Sequence, residues 1–367
     1  MEITAITNAN VYQEKTGNFS VQTILIKDGR LLDILDPAKN ISAHTIIAAD
    51  GLYLTPGFID TCSQIGLKEV GIRWEGHDGY EPNENHGLDL QVIDGIYPLD
   101  QAFQDAVAFG VTAAHIVSSP ESVVGARTAV IHTDGKTVDE MVLHSNLGIV
   151  FSMGDLPKNA YFEKTKTPLT RMGIALRIRT ALKKLQATGR LQDVPIFIRS
   201  HRADDIATAC RIAGEFNLPF VLVHGTEYPL TSRLPKGDSF SMIAGPCFQP
   251  MERGELKNLD PALYNTLFND DIPFTFATDH PVSSVTHLQK EGALALKAGV
   301  PEKVILNGLT QDAAKLLKIE HLTGSLQKGL YADLVLWNKH PLDLTARAVR
   351  TFIKGKEVYR WEGLNQC

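Results

Sequence analysis

Apolar and polar positions follow two different rhythms along this chain. Over residues 1–50 they read as short strands: Val21 to Ile26 alternates, and Lys27-Asp28-Gly29-Arg30 carries the Asp-Gly signal of a tight hairpin. The last 45 residues repeat this rhythm, with strands at Ala332–Trp337 and Val349–Ile353, the turn Lys354-Gly355-Lys356, and then Val358 and Tyr359. The two ends even look alike, TILIKDGRLLDI against RTFIKGKEVYR. Residues 1–55 and 323–367 are therefore expected to build one small β-unit together, with the long middle inserted between them.

The middle has a longer beat. Apolar runs at Leu54–Ile59, Val111–Val117, Ala129–Ile131, Leu147–Phe151, Ile196–Ile198, Phe220–Val223, Phe240–Ala244 and Phe274–Ala277 give eight candidate strands. Amphipathic stretches of helical period lie between them, at Arg171–Gln186, Ser284–Lys297 and Ile206–Phe216. The last of these looks capped by Asp204-Asp205, with Ile206, Cys210, Ala213 and Phe216 on one face. Strands alternating with helices predict an α/β chain with a parallel sheet, and eight of them predict a (β/α)8 barrel over residues 56–322. The join between the third and fourth strands has no clear helix.

Composition narrows the function. With 44% hydrophobic and 21% charged residues in 367, the chain can bury a core. A net charge of −6 argues against a general nucleic-acid binder, which needs a basic excess to meet phosphates. No apolar run is long enough to span a membrane, and the start lacks the basic-then-apolar order of a signal peptide. Cys62, Cys210, Cys247 and Cys367 show no CxxC spacing, so a reducing, cytoplasmic setting is expected.

In such barrels, chemistry sits at the C-terminal ends of the strands. Read that way, the candidates are Asp60, Cys62, Ser63 and Gln64 after the first run, His115 after the second and His132 after the third. Arg199, His201 and Arg202 follow the fifth run, His224 and Glu227 the sixth, and Asp279 and His280 the eighth. Imidazole nitrogens and carboxylate oxygens are ligands that Zn, Mn or Fe would use, and a bound metal can make hydroxide near neutral pH. A neighbouring carboxylate could then move the proton, and Asp279 is the candidate.

Several of these stretches match a known pattern. Leu54-Thr55-Pro56-Gly57-Phe58-Ile59-Asp60 looks like a PGxID strand-one entry, and His201-Arg202-Ala203-Asp204-Asp205-Ile206 like an HRADDI stretch. His224-Gly225-Thr226-Glu227 looks like a strand-six HGTE, and Thr278-Asp279-His280-Pro281-Val282 like a strand-eight TDHPV. With Gly324-Ser325-Leu326, Gly329 and Ala332-Asp333-Leu334-Val335 near the end, the chain resembles the amidohydrolase superfamily, in its imidazolonepropionase-like branch of metal-dependent hydrolases. The resemblance implies a (β/α)8 TIM barrel with a small β-sandwich from both termini. It implies hydrolysis of a non-peptide C–N bond, in an amide or cyclic amide, by metal-activated water. His280 would orient Asp279 or the substrate, and His224 would hold metal or the oxyanion. Homo-oligomers are usual in the family.

The departures from that pattern are at the ligands. Cys62 and Gln64 stand where the family carries His-x-His, and Arg199 stands where it carries the first histidine of the strand-five pair. A fixed guanidinium opposes a cation a few ångströms away. Two readings follow. Either a site is rebuilt from Cys62, His132, His201, His224 and Asp279 around one divalent metal, or the metal is gone and Arg199 pairs with Asp279 or another carboxylate where the ion would sit. In the second reading the chain is an inactive relative that binds a small molecule in the old pocket. Arg171 and Glu227 are further candidates for substrate contact, Arg171 through a carboxylate. The loop after the first strand is acidic, with Glu69, Glu75, Asp78, Glu81, Glu84 and Asp89 beside His77 and His86. Lys158, Lys164 and Lys166 lead into the helix that begins at Arg171.

Overall fold

The computed structural model describes residues 2–37, 39, 42–81, 87–163, 170–231 and 240–363. Glu84, His86, Lys164, Lys166 and Cys367 lie outside them. The strands, in chain order, are β1 (Ile3–Gln13), β2 (Asn18–Lys27), β3 (Arg30–Leu35), β4 (Thr45–Ala48), β5 (Tyr53–Pro56), β6 (Phe58–Ser63), β7 (Val111–Ile116), β8 (Val124–Arg127), β9 (Ala129–His132), β10 (Val142–His144), β11 (Ile149–Ser152), β12 (Ile196–Ser200), β13 (Phe220–His224), β14 (Phe240–Ala244), β15 (Phe274–Phe276), β16 (Leu334–Trp337), β17 (Ala348–Ile353) and β18 (Lys356–Arg360).

Strands from both ends of the chain form one sheet, in the order β18-β17-β16-β5-β1-β2-β3, with β4 paired to β1. Two of its hairpins turn at the dipeptides that the sequence singles out. Asp28 and Gly29 have φ of 51° and 77° between paired Lys27 and Arg30, and Lys354 and Gly355 have 48° and 70° between paired Ile353 and Lys356. Two successive positive φ values give the turn whose twist matches the flanking strands.

The run Leu54–Ile59 is two strands, not one. Pro56 pairs antiparallel with Leu334, while Phe58 pairs parallel with Val111, so the chain changes sheets at Gly57. A Cβ at Gly57 would stand 2.0 Å from Thr112 Oγ1 and 2.3 Å from its Cγ2. Gly57→Ala is expected to destabilise the fold by about 1–3 kcal/mol through this overpacking. Urea denaturation measures it, and an unchanged midpoint would contradict the close approach.

The remaining strands make a four-stranded sheet, β10-β9-β7-β6, and a six-stranded one, β15-β14-β13-β12-β11-β8. β11 to β15 are parallel neighbours, as are β6 and β7. The third run departs from the expected parallel order. Residues 124–132 run antiparallel to both neighbours, β8 against β11 and β9 against β7. Only residues 117–123 separate β7 from β8. That is too short for a crossover, which needs a dozen residues or more, so the chain turns back instead. The same stretch borders both sheets. On their other side Asp279 N donates to Cys62 O at 2.9 Å and Gln64 N to His280 O at 2.8 Å. One apolar cluster draws on both sheets: Ile59, Ala113, Val130, Val150, Phe197, Val221, Ile243 and Ala277, with Ala313 and Leu317 packed on it.

The helices are α1 (Gln101–Ala108), α2 (Val138–Met141), α3 (Asp155–Glu163), α4 (Arg171–Ala187), α5 (Ala203–Glu215), α6 (Ala262–Asn269), α7 (Leu288–Lys297), α8 (Glu302–Leu309) and α9 (Gln311–Leu316). In α5 the expected cap moves. Asp204 and Asp205 lie inside the first turn, where their charge suits the helix dipole, and Glu227 Oε2 takes the Ala203 N–H at 2.9 Å. Its buried face is Ile206, Ala209, Ile212 and Ala213, with Phe216 past the end.

Candidate functional site

Side chains two apart along a strand share a face. Above the shared cluster, the next residues on that face are therefore His115 after Ala113, Ser152 after Val150, Arg199 after Phe197 and Asp279 after Ala277. Arg199 is only 2% exposed. Its Nη1 donates to Ser118 O at 2.7 Å, and its Nη2 reaches Asp279 Oδ1 at 3.1 Å and Cys62 Sγ at 3.4 Å. One guanidinium thus ties three strand ends together.

Asp60 fixes two of those ends. It accepts from the amides of Thr278 (3.0 Å) and Cys62 (3.4 Å) and from the Thr278 hydroxyl. Burial pushes its pKa up to about 7, against the pull of those hydrogen bonds. The Cys62 thiol lies 3.7 Å from Asp279 Oδ1, and burial first of all raises its pKa to about 12. It is a thiol, not the thiolate that a nucleophile would need.

The imidazoles are set by their outer nitrogens. His224 Nδ1 lies 2.8 Å from Gly245 O, so it carries the proton, and its Nε2 faces Asp279 Oδ2 at 3.7 Å. His201 stacks on that ring, with centroids 4.5 Å apart and planes within 8°. Arg253 Nη2 points at His201 Nε2 from 3.4 Å, so Nδ1 donates to Thr226 Oγ1 at 2.8 Å. Burial lowers both pKa values, that of His201 furthest. His115 gives its Nδ1 proton to Thr61 O at 2.9 Å, and burial lowers its pKa to about 4. All three rings are neutral near pH 7.

Several buried polar atoms here have no partner within the protein: His115 Nε2, Ser152 Oγ, Arg199 Nε, Gln64 Oε1 and His280 Nε2. His280 Nδ1 accepts from Val285 N, so its Nε2 is a donor.

Other candidates are committed elsewhere. His132 sits at the far end, because β9 runs antiparallel: it pairs with Ala113, near the start of β7, while His115 pairs with Val130. There it bonds Asp333 Oδ2 at 2.9 Å, away from the strand ends that carry Arg199 and Asp279. Apolar periodicity carries no strand direction, so the sequence put it with the others. Glu227 caps α5 and accepts from Asn258 Nδ2 at 2.8 Å. Arg171 is held by Asp205, at 2.9 and 3.0 Å, and by Glu255 at 2.7 Å. Sequence reasoning missed Ser118, Gly245 and Arg253. The first two act through backbone carbonyls and the third lies in a loop without a motif, so no residue pattern marked them.

The donor set does not suit a divalent metal. Among the described residues no three His, Cys, Asp or Glu side chains are placed to hold an ion. A guanidinium already lies against two of the would-be ligands, and its charge repels a cation.

A family described as the amidohydrolase family matches residues 238–358. The crystal structure of an amidohydrolase from Thermotoga maritima MSB8 superposes with a TM-score of 0.91 at 31% identity, covering 98% of this chain and all of that one. Amidohydrolase tasK of Hapsidospora irregularis is 22% identical over 386 residues, which take in 90% of this chain and 39% of that protein's length. A β-aspartyl dipeptidase from Fervidobacterium islandicum AW-1, solved with β-Asp-Leu, shares the fold at a TM-score of 0.59 and 15% identity, over 98% of this chain and 97% of that one.

Proposed function

This chain belongs to the amidohydrolase superfamily, and we propose that within it the protein is a metal-free member that binds a small polar molecule at the strand ends and does not hydrolyse an amide through metal-activated water. The observation that carries this reading is the buried ion pair of Arg199 and Asp279, 3.1 Å apart where the family's ion would be held. The unpartnered atoms describe what fits. Arg199 Nε and His280 Nε2 offer protons, His115 Nε2 and Gln64 Oε1 accept them, and Ser152 Oγ does either. On this proposal the ligand carries both donors and acceptors, and acyl-amino acids and dipeptides are the first classes to screen.

On the same reading, the two mixed sheets are walls of one (β/α)8-type barrel spanning 56–322, and the sheet from both termini is the small β-domain of residues 1–55 and 323–367. The strand-end motifs favour the imidazolonepropionase-like branch. A cytoplasmic homo-oligomer without nucleic-acid partners completes the proposal; no helix among the described residues is long and apolar enough to cross a membrane.

The test is elemental analysis of protein grown in medium supplemented with Zn, Mn and Fe, beside a thermal-shift screen of small amides. The expected result is far less than one metal per chain, and a ligand that raises Tm without being cleaved. Close to one metal per chain, lost on Asp279→Asn or His224→Ala, would overturn the reading.

A further inference from the structure

We propose that Arg199 is the resident cation of this site: its guanidinium takes the place and the charge of a metal among Cys62, His224 and Asp279, so that one side chain decides whether the site admits an ion. The inference rests on the reading above in treating these strand ends as the ligand-binding end.

Three observations support it. The first is position. Arg199 Nη2 is within 3.1 Å of Asp279 Oδ1 and 3.4 Å of Cys62 Sγ, and the other oxygen of the same carboxylate faces His224 Nε2 at 3.7 Å. The potential ligands surround the guanidinium and its partner. Among the described residues, no three of them are placed to hold an ion.

The second is the orientation of the rings. His224 spends its Nδ1 proton on a backbone carbonyl and His201 spends its own on Thr226, leaving Nε2 as the lone-pair nitrogen in each. This outer bonding fixes the tautomer that a metal-binding imidazole uses. In His224 it directs a lone pair toward a carboxylate. That arrangement is unfavourable unless positive charge lies close by, and Arg199 supplies it.

The third is the backbone. His224 and Asp279 have φ of 75° and 48°. Non-glycine residues are uncommon in this region, and such geometry collects at functional sites. Both belong to the group around Arg199.

Removing the guanidinium leaves Asp279 and His224 beside a thiol, a donor set suited to a thiophilic ion such as Co(II) or Zn(II). On binding, the Cys62 thiol would release its proton to the buffer. The experiment titrates Co(II) into wild-type protein, Arg199→Ala and Arg199→Gln, following binding by equilibrium dialysis and the near-ultraviolet thiolate-to-cobalt band. The variants are expected to bind one Co(II) per chain more tightly than wild type by roughly ten- to a hundredfold, the scale on which a site's surroundings tune metal affinity. The band should vanish in Cys62→Ala/Arg199→Ala, and binding should be lost in Asp279→Asn/Arg199→Ala. Equal, weak binding by wild type and both variants would falsify the inference, as would Co(II) bound independently of Cys62 and Asp279. Either outcome leaves the proposed function standing, because that depends on the metal content of the wild-type chain. A circular-dichroism spectrum of each variant separates lost folding from lost binding. If Arg199→Ala unfolds, the comparison rests on Arg199→Gln, which retains more of the side chain.

Discussion

Arg199→Met is expected to lower the unfolding free energy by about 3–5 kcal/mol, since it leaves Asp279 buried without its partner. The Ser118 carbonyl, in the loop after β7, loses its donor as well. Asp279→Leu strands the guanidinium in the same way. The double variant Arg199→Met/Asp279→Leu should cost much less than the sum of the two, because apolar side chains can replace a buried pair at little net cost. Urea denaturation of the four proteins completes the cycle. A loss below about 1 kcal/mol for Arg199→Met, a value typical of exposed pairs, would mean that the pair contributes no more than a surface contact.

The second large effect is expected at Asp333, at the other end of the strands. Its side chain bonds His132 Nε2 at 2.9 Å and the Lys354 amide at 2.8 Å, and so fastens β9 to the sheet made by the chain ends. Burial opposes its charge, but His132 and the hydrogen bonds more than offset that, and its pKa lies below the ordinary carboxylate value. A carboxyl depressed in the folded state contributes its full stability above its unfolded pKa, and loses it as pH falls through the folded one. Asp333→Ala should therefore cost about 3–5 kcal/mol near neutral pH. The gap from wild type should shrink below the ordinary aspartate range. A gap that stayed constant with acidification would show that shape, not charge, accounts for the loss.

The sequence carried the strands better than their directions. All eight apolar runs in the middle are strand segments, because β-branched and aromatic runs bounded by turns have few other uses. Two details were beyond it. Leu54–Ile59 conceals a change of sheet at Gly57, where Thr112 leaves no room for a side chain. The run at 129–131 gives no hint that it is antiparallel, and that reversal alone removed His132 from the candidate site. A pairing of Arg199 with Asp279 or another carboxylate was one of two open readings, and the structure selects Asp279; the strand-end positions of both residues were legible. Their hydrogen-bond partners were not: carbonyls such as Ser118 and Gly245 depend on loop paths, which residue types do not encode.

The sheet shared by the two ends of the chain has a consequence for synthesis. β5 lies between β1 and β16, pairing Pro56 with Leu334, so one of its edges has no strand to bond until the chain has been made as far as β16. An open strand edge is a template for unwanted pairing. Contacts this distant in sequence form slowly. The nascent protein must carry an unfinished β-surface while the long stretch between β5 and β16 is made, and its yield should depend on how well chaperones cover that edge until β16 arrives.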